Sequence, residues 1–297
     1  MNISTVAVYG LGNMGYLVAE RIASQFTTKV ADLDAAQVRR AQERFKAVPI
    51  AGPDDLSDVD VVVLSLPSPA ISLAVLDQIA ARLPKHAVVL ETSTVNPKDI
   101  HASRKLLEKF GLRLVDASVM AGVSQMKAGT AMLLMGGDAQ AVADARPVLD
   151  AIAPKQIYFG DSGAGAAAKV INNAVAHAVM VVVAEAGSLA TASGVSIEKL
   201  VGLLSDPQMG LHRPLTHRYA ERIVQGNYEG GMPLDAARKD SVLALELAQT
   251  LGVPLFAIQG SHTIYDIAVA AGHGRDDYAA IAKVWADWGK PAVPAQA

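Results

Sequence analysis

The chain has 297 residues, 51 % of them hydrophobic and 19 % charged, with a formal net charge of −3 and no cysteine. That length suits about two domains of ~100–200 residues each. The acidic balance excludes the basic surplus that holds nucleic acid or an anionic membrane, and the lack of cysteine excludes disulfides, a thiol nucleophile and thiolate metal sites.

No basic segment followed by a long apolar run opens the chain. The most apolar stretch, residues 174–186, contains His177 and Glu185 and falls short of the ~20 residues a membrane span needs. A soluble, cytoplasmic protein is expected. The tail PAVPAQA is expected to fray.

Residues 5–9 (TVAVY) read as a buried parallel strand. Gly10-Leu11-Gly12-Asn13-Met14-Gly15 follows, and Leu17, Val18, Arg21 and Ile22 then mark a helical face. A GxGxxG between strand and helix is the dinucleotide fingerprint. The first glycine allows the tight turn, the second lets backbone approach the pyrophosphate at the helix N-terminus, and the third permits close helix–strand packing. The second strand, 28–31, ends in Asp32-Leu33-Asp34. Asp32 follows Gly10 by 22 residues, near the acidic position ~20 residues on that binds the ribose 2′-OH and repels a 2′-phosphate. NAD is therefore favoured over NADP, and Asp34 reads as the cap of the next helix.

Residues 59–66 form the next strand and run into Pro67. Ligands of open α/β sheets bind outside the carboxyl ends of strands, so Leu66 and Pro67 are expected to face the cofactor. Strand 87–91 ends in Thr92-Ser93-Thr94, whose hydroxyls suit either the nicotinamide side or the capping of a helix opened by Pro97. From Asp116 through Met120, Ala121 and Gly122 to Gly129-Thr130, a loop rich in small residues suggests backbone approaching a ligand. Strand 131–135, Gly136-Gly137, helix 138–152 and strand 156–159 complete a first domain, 1–162.

From Gly163 the pattern turns helical, which defines a second domain, 163–297. The first helix, from 164 to about 193, carries Lys169 in its second turn and Asn173 on the same face four residues later. An ammonium among alanine, valine and isoleucine titrates more readily than a surface one, so Lys169 is the candidate proton-transfer group of a dehydrogenase. His177, two turns on, reads as a core histidine. Segment 207–217, with His212, Arg213 and His217, reads as irregular and polar, and further helices are expected at 196–204, 234–251, 254–271 and 276–288, the last reaching Trp288. The seven histidines form no paired-ligand pattern, so no metal site is expected.

Four ordered motifs resemble the β-hydroxyacid dehydrogenases, which include 3-hydroxyisobutyrate dehydrogenase and, more distantly, 6-phosphogluconate dehydrogenase. They are GxGxMG at Gly10, Gly12, Met14 and Gly15; a substrate loop at Asp116, Ala117, Val119 and Gly122 followed by Gly129-Thr130 and Gly136-Gly137; the GxxGxxxKxxNN pattern on Lys169, Asn172 and Asn173; and a late Lys239-Asp240 pair. The resemblance implies a Rossmann-type domain and an all-α domain joined by a long helix, assembled as dimers or tetramers. It makes Lys169 the acid/base and Asn173 a substrate ligand, and puts Lys239 beside nicotinamide and substrate and Leu66, Pro67 and Thr94 at the cofactor. The implied reaction is NAD-dependent oxidation of a small anionic hydroxy compound, or its reverse.

The chain departs from the family at Ser118, Met120 and Ala121, where proline, serine and glycine are usual. Methionine cannot donate a hydrogen bond, so the carboxylate pocket is altered; the Ala121 and Gly122 amides, or Arg213, are the alternative anion ligands. Two other readings are an imine reductase-like enzyme, against which the lysine and Asp32 argue, and a non-catalytic NAD-binding protein.

Overall fold

A computed structural model describes residues 2–286; the tail PAVPAQA and Trp288 lie outside the described residues. The chain divides into two compact units, Met1–Ala174 and Val175–Ala297.

The first unit is built on one sheet. Its strands are β1 (Thr5–Tyr9), β2 (Thr27–Ala31), β3 (Val48–Pro49), β4 (Val61–Leu64), β5 (Val88–Glu91), β6 (Arg113–Met120), β7 (Met132–Gly137) and β8 (Lys155–Tyr158), and the sheet order is β3-β2-β1-β4-β5-β6-β7-β8. All neighbours are parallel except β6 and β7. Helices α1 (Gly15–Ile22), α2 (Ala35–Phe45), α3 (Pro69–Ile79), α4 (Pro97–Glu108), α5 (Val123–Ala128) and α6 (Ala139–Ile152) accompany it. The central strands β1, β4 and β5 are nearly continuous in apolar residues because both their faces are covered. Alternate residues enter two separate cores: Val6, Val8, Val61 and Val63 join one, and Ala7, Val62 and Leu64 the other. The order reverses between β1 and β4, which opens a crevice at their carboxyl ends.

The sequence reading missed β3, which is two residues long, and α5. It also took 116–120 for a loop. These residues continue β6 and pair antiparallel with β7, from Val115 opposite Gly137 to Met120 opposite Met132. The small residues serve close packing there rather than a turn. A Cβ at Gly136 would lie 2.8 Å from Asp116 Oδ2 and 2.8 Å from the Gly165 nitrogen, and one at Gly165 would lie 2.6 Å from the Leu134 carbonyl oxygen.

Helix α7 (Ala164–Ala192) has 29 residues and is roughly 44 Å long at ~1.5 Å per residue. It is long and apolar enough, at a mean hydropathy of 1.6 in its most apolar window, to cross a membrane by length and composition alone, so the run read as too short belongs to a longer apolar helix. His177 is exposed, not a core residue. Glu185, the charge inside the apolar run, is buried and accepts hydrogen bonds from the Ala257 and Ile258 amides at 2.7 and 3.0 Å, capping the N-terminus of α10 (Phe256–Ala268).

The second unit also contains α8 (Ile197–Ser205), α9 (Leu234–Leu251) and a 3₁₀ segment, Tyr278–Trp285. Pro214–Ile223, partly inside the stretch read as irregular, is π-helical. Leu234, Ala268 and Ala280 form a small core. Beside it the fully buried Asp277 lies 3.2 Å from Arg218 and 3.6 Å from Arg222, and its Oδ1 accepts from the Ala279 amide at 2.9 Å. Removing one member of such a network strands the others. Asp277→Ala is therefore expected to destabilise the second unit by about 3–5 kcal/mol. Hydrogen exchange of the α9 and α10 amides, compared with wild type, is the check.

Candidate cofactor and active site

The first unit carries a cleft of about 990 Å³ at the carboxyl ends of its parallel strands. At one wall is the glycine turn. Gly10 has φ +93° and its Cβ would lie 2.2 Å from the Ser65 carbonyl oxygen, so only glycine lets β1 turn against the end of β4. A Cβ at Gly15 would lie 2.0 Å from the Gly10 oxygen, while one at Gly12 would meet nothing within 4 Å. Gly10 and Gly15 thus close the turn on itself, and Gly12 faces open cleft at the start of α1, where peptide dipoles and free amides favour an anion. A dinucleotide pyrophosphate fits this cradle.

Asp32, at the end of β2, accepts from the Leu11 amide at 2.6 Å through Oδ2 and from the Asp34 amide at 2.8 Å through Oδ1. Each oxygen keeps a second lone pair for a ribose hydroxyl. Asp34 caps α2 by accepting from the Ala36 amide at 2.8 Å. Leu11 itself is in the core and does not line the cleft, although its amide fixes Asp32.

The opposite wall comes from the ends of β4, β5 and β6. Leu66, Pro67, Thr92, Ser93, Thr94, Val119 and Ala121 all line it. Thr92 Oγ1 donates to the Leu64 carbonyl at 2.5 Å, and Ser93 Oγ accepts from the Leu66 amide at 2.8 Å. Of the two roles open to this triplet, capping falls elsewhere: the α4 N-terminus is closed by the Asn96 amide donating to Asp99 at 3.0 Å. Several lining residues carried no motif. Ala70, Ile71, Ala74, Val75 and Gln78 belong to α3, Leu33 is fully exposed at the β2 end, and Tyr9 ends β1. The Ser68-Pro69 pair, an N-cap followed by proline at the first helical position, was the available signal for α3. Burial, with a smaller contribution from the Asp55 charge, pushes the Tyr9 phenol up to about 12, so it presents a neutral hydroxyl.

Asp116 determines where Lys169 stands. It is fully buried; its Oδ1 accepts from the Gly163 amide and its Oδ2 from the Ala166 amide, both at 2.9 Å. These bonds fix the first turn of α7 to β6, and Lys169 then projects into the cleft one turn later. Lys169 is 9 % exposed, and burial holds its pKa below the ordinary lysine value of 10.5. Its Nζ is 3.8 Å from Met120 Sδ, and Asn172 Nδ2 donates to the same sulfur at 3.3 Å. A thioether is a weak acceptor and carries no charge, so neither donor is tied to a carboxylate.

The other sequence candidates are placed differently. Asn173 follows Asn172, half-buried, outside the cleft lining; the contact to Met120 is made by Asn172. The Gly122 amide donates to Gln125 Oε1 at 2.7 Å and is not free for an anion. Lys239 belongs to the second unit, where it is exposed and pairs with Asp240 at 3.0 Å. Arg213 is exposed in the same unit, beside Met209 Sδ at 3.7 Å.

The fold and the cleft define an NAD(P)-binding oxidoreductase. Residues 5–160 match the family described as the NAD binding domain of 6-phosphogluconate dehydrogenase, and residues 163–285 match that described as NAD-binding of NADP-dependent 3-hydroxyisobutyrate dehydrogenase. The chain belongs to the β-hydroxyacid dehydrogenase family. It is 29 % identical to the 3-sulfolactaldehyde reductase of Escherichia coli (strain K12), over 94 % of this chain and 95 % of that protein. It is 28 % identical to a probable 3-hydroxyisobutyrate dehydrogenase of Mycobacterium tuberculosis, over 94 % and 97 %. Among solved structures, Mycobacterium tuberculosis 3-hydroxyisobutyrate dehydrogenase with L-serine is similar at a TM-score of 0.65 and 25 % identity, covering 95 % of this chain and 99 % of that one. An imine reductase from Pseudomonas sp. shares the fold at a TM-score of 0.85 and 19 % identity, with the same coverage.

The two glycine environments predict opposite failures. Gly12→Val is expected to fold normally and to weaken NAD binding by more than about 100-fold, because only the ligand's space is filled. Gly15→Val forces backbone apart and is expected to cost about 3 kcal/mol or more of stability. Calorimetric NAD titration beside urea unfolding separates the two.

Proposed function

We propose that this protein oxidises a small β-hydroxyacid or a related hydroxy anion with NAD, or reduces the corresponding carbonyl compound, with Lys169 as general acid/base. The observation that carries the reading is a lysine 9 % exposed, with no carboxylate partner among the described residues, at the inner end of a dinucleotide cleft. Asp32 supports NAD over NADP, since a carboxylate already holding two backbone amides would face a 2′-phosphate with like charge. Gly10, Gly12, Asn13, Met14 and Gly15 hold the pyrophosphate side, and Leu66, Pro67 and Thr94 the nicotinamide side.

When bound, the nicotinamide supplies a two-electron hydride acceptor. Lys169, as the free amine, takes the proton of the substrate hydroxyl while the carbinol carbon becomes a carbonyl; as the ammonium it returns that proton in reduction. A buried lysine is suited to both directions because its pKa lies closer to ambient pH. Asn172 and Asn173 follow on the same helix as substrate ligands, and the Met120–Ala121 strand end shapes the wall that receives the substrate. Relatives named for 3-sulfolactaldehyde, 2-(hydroxymethyl)glutarate and L-threonate support an anionic hydroxy substrate.

The assembly is a homodimer or homotetramer of a soluble, cytoplasmic enzyme. Its support is apolar side chains left exposed along α7, among them Ile171, Val175 and Met180. Within the chain, 1–162 is the cofactor domain and 163–297 the substrate and oligomerisation domain.

Lys169→Ala is expected to lower kcat by ~10²–10⁴-fold while NAD binding stays near wild type. A variant of nearly full activity removes Lys169 from the reaction. In wild type, oxidation should rise with pH through one ionisation below 10.5 as the ammonium becomes amine, and Lys169→Ala should lose that limb. A panel of 3-hydroxyacids, aldonates and sulfonated alcohols, assayed with NAD and NADP in parallel, identifies the substrate. A clear preference for NADP overturns the role of Asp32.

A further inference from the structure

Beneath the cleft lies an acidic side chain that the proposed chemistry does not use. Glu91 ends β5, 2 % exposed. Its Oε1 accepts from the Ser93 amide at 2.9 Å. The hydroxyl of Ser72, on α3, stands beside the same carboxyl; it is buried and makes no hydrogen bond among the described residues. Ser93 Oγ in turn accepts from the Leu66 amide at 2.8 Å, and its carbonyl faces Ser118 Oγ of β6 at 3.5 Å. One carboxyl therefore underlies a hub joining α3, the β4 end, the β5 end and β6. Leu66, Ser93 and Thr94 form one wall of the cleft.

We propose that Glu91 is a positioning residue for the cofactor, a buried carboxyl that holds Ser93 and, through its hydroxyl, the Leu66 backbone at the nicotinamide end of the cleft. Burial disfavours the charged form of Glu91. No arginine, lysine or histidine lies within salt-bridge distance of it among the described residues, and an ionised carboxylate at such a depth is expensive without one. Burial raises its pKa against the opposing hydrogen bonds from Ser93 and Ser72. The carboxyl supplies the acceptor for the Ser93 amide and faces the Ser72 hydroxyl.

The inference rests on the cleft holding the dinucleotide, and NAD binding tests it without any substrate. Glu91→Gln keeps both an acceptor and a donor and is expected to leave the calorimetric Kd for NAD within about threefold of wild type. Glu91→Leu, of similar volume, leaves the Ser93 amide unpaired and is expected to raise that Kd at least ~10-fold. Ser93→Ala is expected to weaken NAD to a similar degree, and the double variant Glu91→Leu/Ser93→Ala to add little beyond either, since both cut one chain of contacts. Urea unfolding of each variant without ligand identifies a merely structural role, which would lower stability and leave the Kd of the folded protein unchanged. The proposal is overturned if Glu91→Gln loses as much affinity as Glu91→Leu, if Glu91→Leu binds NAD normally, or if the Glu91 and Ser93 effects simply add. A wild-type protein that binds NAD but oxidises no hydroxy compound would sink the proposed reaction and leave this assignment standing.

Discussion

The carboxylate of Asp116 is the constraint on which the active centre depends. It is fully buried at the middle of β6, and its two oxygens accept the first free amides of α7. Helix N-termini have amides without intrahelical partners, and a carboxylate is their best acceptor because it answers both the hydrogen bonds and the positive end of the dipole. The glycines at 136 and 165 let the helix start come within backbone contact of β7. One charged group thus fixes the origin and the rotation of a 29-residue helix. Lys169, one turn beyond, inherits its position from that anchor, and Met120, four residues along β6 from Asp116, inherits its own from the same strand.

The cleft is consistent electrostatically. Its anion-binding end is made of backbone amides, its ribose end of a carboxylate already fixed by two amides, and its reactive end of a lysine facing sulfur. Each group suits a different part of one dinucleotide and its hydroxy substrate. A carboxylate in place of the Met120 thioether would stabilise the ammonium and raise its pKa. The methionine places no charge beside the ammonium.

Much of this was legible in the residues. The glycine turn, Asp32, the apolar strand runs and the lysine on an alanine-rich helix each follow from local rules. Three features were not legible. The 116–120 segment looks like a loop because small residues signal turns, yet here they admit a neighbouring backbone. His177 looks like core because its neighbours are apolar, yet that face of α7 is exposed. Gly122 looks available to an anion, yet Gln125, three residues on, occupies its amide.

The sequence by itself determined the strand–turn–helix units and the NAD(P) cofactor class, because each depends on spacings of a few residues along one element. Tertiary structure alone decided that Asp116 anchors α7, that Asn172 rather than Asn173 meets Met120, and that buried Glu91 holds the Ser93 amide. The physical reason is range. Backbone geometry and periodicity act between near neighbours in the chain, whereas burial and the shared acceptors of distant amides exist only once strands far apart in sequence have been brought side by side.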